Sequence, residues 1–339
     1  VSGQDHGFGP WGFGPWLRAA LGRLNGGEED PLALGVVRAV VAGVLCLSAL
    51  LHLGAVGEYF SDLSMINGRF AEIAFPGRWS LFFTVRDPTA VRAIWAVGVL
   101  ALAMWTLGLF TRVSSIVGMV VWISLNGRNP LLFAFPDQLA LMLGFLVALM
   151  PAGRGFSLDA RWRGLGGPVP VWCRRVIQLQ LAILYTASGL EKTGETWHED
   201  GTAIYYTVLN PYNRHFLWGS LAARLQPWLF KPATFVVLYW ETWFWLFLVY
   251  HWVFEAVGRR LPAWGARRRA GEPGWRLPDL RWPMLGFGAL MHLGIQAAVY
   301  VMYFSPLTVA AYTCFFTSED LRAAVARVRG WLSRRTARA

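Results

Sequence analysis

The chain is 339 residues long, 55% hydrophobic and 15% aromatic, with only 15% charged residues and a mean hydropathy of +0.40. A soluble domain carries roughly 25% charged residues to wet its surface, and a disordered chain cannot be this hydrophobic, so both classes are excluded. An integral membrane protein of several helices is left, and the net charge of +11 reads as a topology signal with no nucleic-acid partner implied.

Residues 1–32 read as an N-terminal segment at the cytoplasmic membrane surface. A tandem GFGPW repeat, Gly7–Trp11 and Gly12–Trp16, stands beside Arg18 and Arg23, a composition suited to the headgroup level. Residues 33–318 read as the transmembrane domain. Its apolar runs predict spans at Leu34–Val56, Ala93–Phe110, Val113–Leu125, Leu131–Pro151 (opened by Asp137), Val171–Leu190, Pro232–Glu255, Trp282–Phe304 and Pro306–Thr317. A crossing takes about 20 residues, so the third and eighth are short. Two connections, 57–92 and 191–231, are long and rich in aromatics, which predicts ordered segments on the outer ends of the helices. The arginine-rich stretch 258–281 reads as a solvated cytoplasmic anchor. In the tail, 319–339, Leu321, Val325, Val328 and Leu332 recur at helical spacing among arginines, the pattern of a basic interfacial helix.

Charge fixes the orientation. With the N-terminus inside and alternating crossings, 19 Lys and Arg lie in cytoplasmic segments and nine in outer ones. The prediction is an all-α bundle of about eight transmembrane helices in the cell membrane, both termini cytoplasmic, with two long aromatic-rich outer loops. Cys46, Cys173 and Cys314 fall in apolar runs without metal-ligand spacing and read as packing residues.

Ionisable groups within spans are costly, so they mark candidate sites. On the fifth span, Arg174, Gln178, Tyr185, Ser188 and Lys192 fall on one helical stripe. On the seventh, His292, Gln296 and Tyr303 share a face, while Glu241 sits among Trp240, Trp243 and Trp245 on the sixth. Each residue has two readings. A partly buried amine gives up its proton more readily, so Lys192 can be a base; alternatively it snorkels and pairs with Glu191 or Glu195. His292 is a proton relay or a helix-to-helix hydrogen bond, and Glu241 is a functional carboxylate or a buried pair. His52 reads as a helix-to-helix hydrogen bond, Arg38 and Arg174 as snorkelling, and His251 and Glu255 as interfacial.

The order of motifs resembles the HTTM family, the membrane domain shared with vitamin K-dependent gamma-glutamyl carboxylase. The resemblance is carried by Gly108–Ser114 (GLFTRVS), Ser124–Pro130 (SLNGRNP), Asp137, Pro151–Arg161 (PAGRGFSLDAR), Gln178–Lys192, Trp197, Asp200–Tyr205 and Met291–Ala311. It implies a membrane oxidoreductase or lyase that uses reduced vitamin K or another menaquinone-type quinone. Lys192, in Gly189-Leu190-Glu191-Lys192, then matches the base that deprotonates the reduced vitamin. With it, His292 is the second catalytic candidate, and Tyr185, Glu241, Gln296, Gln178 and Trp197 are cofactor-contacting candidates; the helical stripes predict that Lys192, His292, Glu241 and Tyr185 line one pocket open to the outer side. The lipid bilayer, a peptide or protein substrate and a membrane or extracytoplasmic chain are the partners implied. The pattern departs where Asn126, Gly127, Arg128 and Asn129 stand in place of a carboxylase histidine, and where the carboxylase continues into a large lumenal domain this sequence runs on for about 20 residues after the last predicted span. Short bacterial members resembling SdpB imply the alternative, a non-enzymatic partner in maturing or exporting a peptide.

Overall fold

A computed structural model of the protein describes residues 27–211, 221, 224–260 and 278–336. The GFGPW repeat, the arginine triplet at 267–269 and the aromatic residues Tyr212, Phe216 and Trp218 lie outside the described residues. Fifteen α-helices are labelled here: α1 Leu32–Leu50, α2 Val56–Phe60, α3 Gly68–Ala74, α4 Pro88–Leu107, α5 Thr111–Arg128, α6 Phe135–Leu149, α7 Leu158–Trp162, α8 Val171–Glu191, α9 Glu195–His198, α10 Ala203–Leu209, α11 Lys231–Thr242, α12 Phe244–Arg260, α13 Arg281–Ala298, α14 Phe304–Tyr312 and α15 Ser318–Thr336. The strand pairing among the described residues is a two-residue antiparallel contact, Glu28–Glu29 with Val169–Pro170. The protein is all-α, and each predicted apolar run holds a helix or a bent helix pair, although the run Trp282–Phe304 breaks after Ala298.

Among the described residues two helices, α1 and α4, are long and apolar enough to cross a membrane, and the pair around α11 and α12, bent by 50°, makes a third if it is one span. At 1.5 Å per residue the 19 residues of α1 reach about 28 Å, close to the hydrocarbon thickness. Helix α1 is central, packing against α4, α6, α8 and α14. Its inward residues Val37, Val41 and Leu45 are fully buried while Leu47 and Leu50 are exposed, the split expected of a helix with one protein face and one lipid face.

Helix ends explain several sequence features. Asp87 caps α4 by accepting from the Ala90 amide at 2.8 Å, Pro88 starts it, and Gly108 ends it at φ +70°, a left-handed position that suits glycine. Arg38, expected to snorkel, is instead fully buried. Its guanidinium crosses from α1 to the last carbonyls of α4, donating to Trp105 O (2.5 Å), Thr106 O (3.2 Å) and Phe156 O (2.5 Å). A cation at a helix C-terminus is favourable because the unpaired carbonyls point at it, and that capping outweighs the escape to the interface.

The SLNGRNP motif fastens segment 57–92 to the end of α5. Arg128, fully buried rather than in an outer loop, donates to Ile66 O and Ser61 O, both at 2.7 Å. Asn129 donates to Tyr59 O, and the Ser124 carbonyl accepts from the Ser80 hydroxyl at 2.6 Å. Segment 57–92 is therefore ordered, with its own Phe60 and Phe82 fully buried.

Candidate functional site

The site is built on the C-terminal half of α8. Lys192 follows that helix and folds back by one turn, donating to Ser188 O (3.0 Å), Ser188 Oγ (2.7 Å) and Glu241 Oε2 (2.5 Å). Ser188 Oγ also donates to Glu241 Oε2 at 3.0 Å. The partner of Lys192 is thus Glu241 on α11, in place of Glu191 or Glu195. The two side chains are 17% and 10% exposed, and the Trp197 ring lies 5.2 Å from Nζ. Gly189 makes this possible: a Cβ there would fall 2.5 Å from the Thr242 amide nitrogen. Only a residue without a side chain lets α8 and α11 approach so closely at this level.

One turn deeper on the same stripe stands Tyr185. Its hydroxyl lies 2.6 Å from His292 Nε2 and 2.5 Å from the Tyr312 hydroxyl, joining α8, α13 and α14. Trp240 and Phe244 pack on its ring with centroids 4.8 Å away, and Phe304 packs edge-on against His292 at 5.2 Å. A chain of donors from Tyr312 to Tyr185 to Nε2 satisfies all three groups and leaves the imidazole proton on Nδ1. Among the described residues, buried His292 Nδ1 and Trp240 Nε1 have no hydrogen-bond partner. Gly288 repeats the role of Gly189, since a Cβ there would meet the Tyr312 hydroxyl at 2.6 Å and Trp240 at 2.8 Å.

The other candidates divide between this site and separate networks. Gln178, two turns below Tyr185, donates to Cys314 O at 2.7 Å, accepts from Trp252 Nε1 at 2.7 Å and lies 3.3 Å from His251 Nε2. Next to it Arg174 bonds Glu29 through Nε (2.9 Å) and Glu255 through Nη1 (2.9 Å). Arg174 and His251 are therefore buried members of a polar cluster, with Glu255 largely covered beside them. Each gains more from a charged or hydrogen-bonding partner than from snorkelling. Gln296 donates to Met302 O at 2.9 Å across the break between α13 and α14, where Met302 adopts φ +50°. Tyr303 also leaves the His292 face: its hydroxyl bonds Asp137, which accepts from Ser48 Oγ and from the Ala134 amide that opens α6. His52, placed in the turns after α1, sits among the rings of Tyr59, Phe60 and Phe133.

Tyr312 and the unpaired indole of Trp240 complete the site, and neither was a site candidate in the sequence. Tyr312 follows a short apolar run and carries no periodic signal that distinguishes it from a packing residue.

Two further motifs meet on the arginine-rich side. Asp159, from Pro151–Arg161, accepts from the amides of Phe110 (2.9 Å) and Thr111 (2.7 Å), the Thr111 hydroxyl (2.7 Å) and Arg163 (3.0 Å). It thereby closes the first turn of α5. Burial pushes the Asp159 carboxyl up, but bonds from Thr111, Arg163 and Phe110 outweigh it and hold it below the usual carboxylate range.

Apolar helices of membrane length, polar groups confined to a few inward clusters and glycine-mediated helix contacts define a helical membrane protein. The family profile of the HTTM domain matches residues 27–251, about two thirds of the chain, and the protein belongs to that family. Lys192, Glu241, Tyr185, Gln178 and Trp197 lie within the match; His292 and Tyr312 lie beyond it. No curated protein and no solved structure matches the chain.

Proposed function

We propose that the protein is a multi-pass enzyme of the cell membrane, both termini cytoplasmic, in which Lys192 acts as a base beside a lipophilic quinone-type cofactor, on a peptide or lipid substrate. The observation that carries this reading is the junction of a charged cluster, Lys192–Glu241–Ser188, with an aromatic-walled triad, Tyr185–His292–Tyr312. Those residues fit such a group. Trp197, Trp240 and Phe244 offer flat apolar walls, and the unpartnered His292 Nδ1 and Trp240 Nε1 offer donors to a ring oxygen.

A reduced quinone bound here would supply an acidic ring hydroxyl and an electron-rich ring. The protein's own part is to hold and move the proton. Lys192 Nζ can pass a proton to Glu241 Oε2 along their contact, leaving a neutral amine whose lone pair accepts the next one. Ser188 keeps the amine aimed while the carboxyl is protonated. Tyr185 holds His292 Nε2, which would leave Nδ1 as the ring nitrogen free to donate to a bound oxygen.

Complete satisfaction of the ammonium by Ser188 and Glu241 favours a second reading. In it, the pair is a structural clasp and the protein is a non-enzymatic membrane partner in maturing or exporting a peptide. Oxygen uptake by the reconstituted protein on addition of a reduced naphthoquinone separates the two. The enzyme reading expects uptake that Lys192→Ala abolishes in a protein that remains folded; absence of uptake by the wild type would rule it out.

A further inference from the structure

Away from this site, a cavity of about 740 Å³ opens on the arginine-rich side, between the end of α4, the start of α5, the end of α6 and the loop 164–168. Its inner wall is apolar, with Val147 and Met150. Trp105 also lines it, fully buried, and its indole N–H has no partner among the described residues. Such a donor left dry carries a desolvation penalty unless something accepts from it. At the mouth stand two exposed arginines, Arg112 and Arg154. Each makes one hydrogen bond to a carbonyl, Ala148 O at 2.8 Å and Pro168 O at 2.7 Å. Each guanidinium has five N–H donors, so most of its donor capacity remains.

Two carboxylates also line the cavity. Asp159 is taken up by the α5 turn and by Arg163, which leaves Glu28 as the exposed counter-charge on the rim. The balance of rim charge is positive. A buried donor above an apolar wall and beneath two arginines matches a molecule with an anionic phosphate head and a hydrocarbon tail.

We infer that this cavity binds the phosphate headgroup of an anionic phospholipid, with Arg112 and Arg154 on the phosphate and Trp105 donating to a glycerol-ester or phosphate oxygen below it. Arg112 at the start of α5 and Arg154 in the turn after α6 then lie at headgroup depth, where acidic lipids are attracted to neighbouring arginines. Free phosphate shares the head chemistry but lacks the tail that the apolar wall accepts. This inference rests on the membrane placement of the bundle and not on any role of Lys192.

The test uses the full chain in nanodiscs of phosphatidylcholine with graded phosphatidylglycerol. Thermal unfolding and native mass spectrometry serve as readouts, for the wild type, Arg112→Gln/Arg154→Gln and Trp105→Phe. The wild type should retain one phosphatidylglycerol through delipidation and unfold at higher temperature as that lipid is added. The double variant, altered only at exposed positions, should bind it at least tenfold more weakly, and Trp105→Phe should weaken retention while keeping the ring. Equal retention and equal thermal shifts in wild type and double variant would overturn the proposal. So would an identical shift produced by inorganic phosphate in pure phosphatidylcholine, because that assigns the site to a soluble anion.

Discussion

Lys192, at the end of α8, and Glu241 on α11 are brought together by two helices that touch at Gly189 and Thr242, and the close crossing sets Nζ 2.5 Å from Oε2. The ion pair is a consequence of a missing side chain one turn away. Removing one partner leaves a largely buried charge, so Lys192→Met or Glu241→Met alone should cost about 3–5 kcal/mol, whereas Lys192→Met/Glu241→Met should recover much of the loss. A double-mutant cycle by detergent-resistant thermal unfolding reads the coupling. Additive single losses would mean that the pair contributes nothing as a pair.

Gly189→Ala should destabilise the protein and separate Lys192 from Glu241, because the new Cβ would fall 2.5 Å from the Thr242 amide nitrogen. Gly288→Ala should do the same to the Tyr312 contact. Gly286, on the same helix as Gly288, has nothing within 4 Å of a built Cβ, so Gly286→Ala should be neutral or stabilising by up to about 1 kcal/mol. The contrast between Gly286 and Gly288 in unfolding temperature checks the geometry of α13.

Tyr185→Phe removes the hydroxyl that joins His292 and Tyr312 while keeping the ring. The expected loss is about 1–3 kcal/mol, since two buried polar groups lose a partner. Tyr312→Phe should cost less, because Tyr185 keeps His292. Equal losses would place the two tyrosines as equivalent members of the chain.

At the Asp159 junction the direction of pH dependence is fixed. The folded carboxyl sits below its unfolded value of about 3.8, so its contribution is complete above that value and is lost as pH falls through the lower folded one. Acid unfolding should therefore begin earlier for Asp159→Asn than for the wild type, with the difference largest near neutral pH and vanishing at low pH. Circular dichroism across an acid titration reads it.

Topology has its own test. Arg78 and Arg334 are exposed, and Arg78→Cys and Arg334→Cys, in a version with Cys46, Cys173 and Cys314 replaced, should label from opposite sides of the membrane. Labelling of both from one side contradicts the arginine count as a guide to orientation.

Helix positions were legible in the sequence because lipid-facing and protein-facing surfaces are both apolar, and long apolar runs reveal the element whichever way it turns. The same property hid what the helices do to each other. Periodicity put Gln178, Tyr185 and Lys192 on one stripe along α8 and its C-terminal end, but α14 and the turn after it divide that stripe by presenting Tyr312 to Tyr185 and the Cys314 carbonyl to Gln178. Arg38 and Arg128 sit in or beside apolar runs close to span ends, where snorkelling or a loop position is the natural expectation; only the path of the neighbouring chain offers them carbonyls instead. Tyr303 shares a helical face with His292 only if the helix continues, and it stops at Ala298, where Gln296, still on the helix, turns to the Met302 carbonyl.

The most direct measurement is mass spectrometry of solvent extracts from the purified protein, wild type beside Trp240→Phe and Lys192→Ala. A lipophilic quinone-type site predicts an isoprenoid quinone at near one copy per wild-type chain and its depletion in both variants, each still folded. A wild-type extract that holds only bulk phospholipid, with no quinone enriched above the detergent-washed background, contradicts the reading of Lys192 as a base beside a quinone.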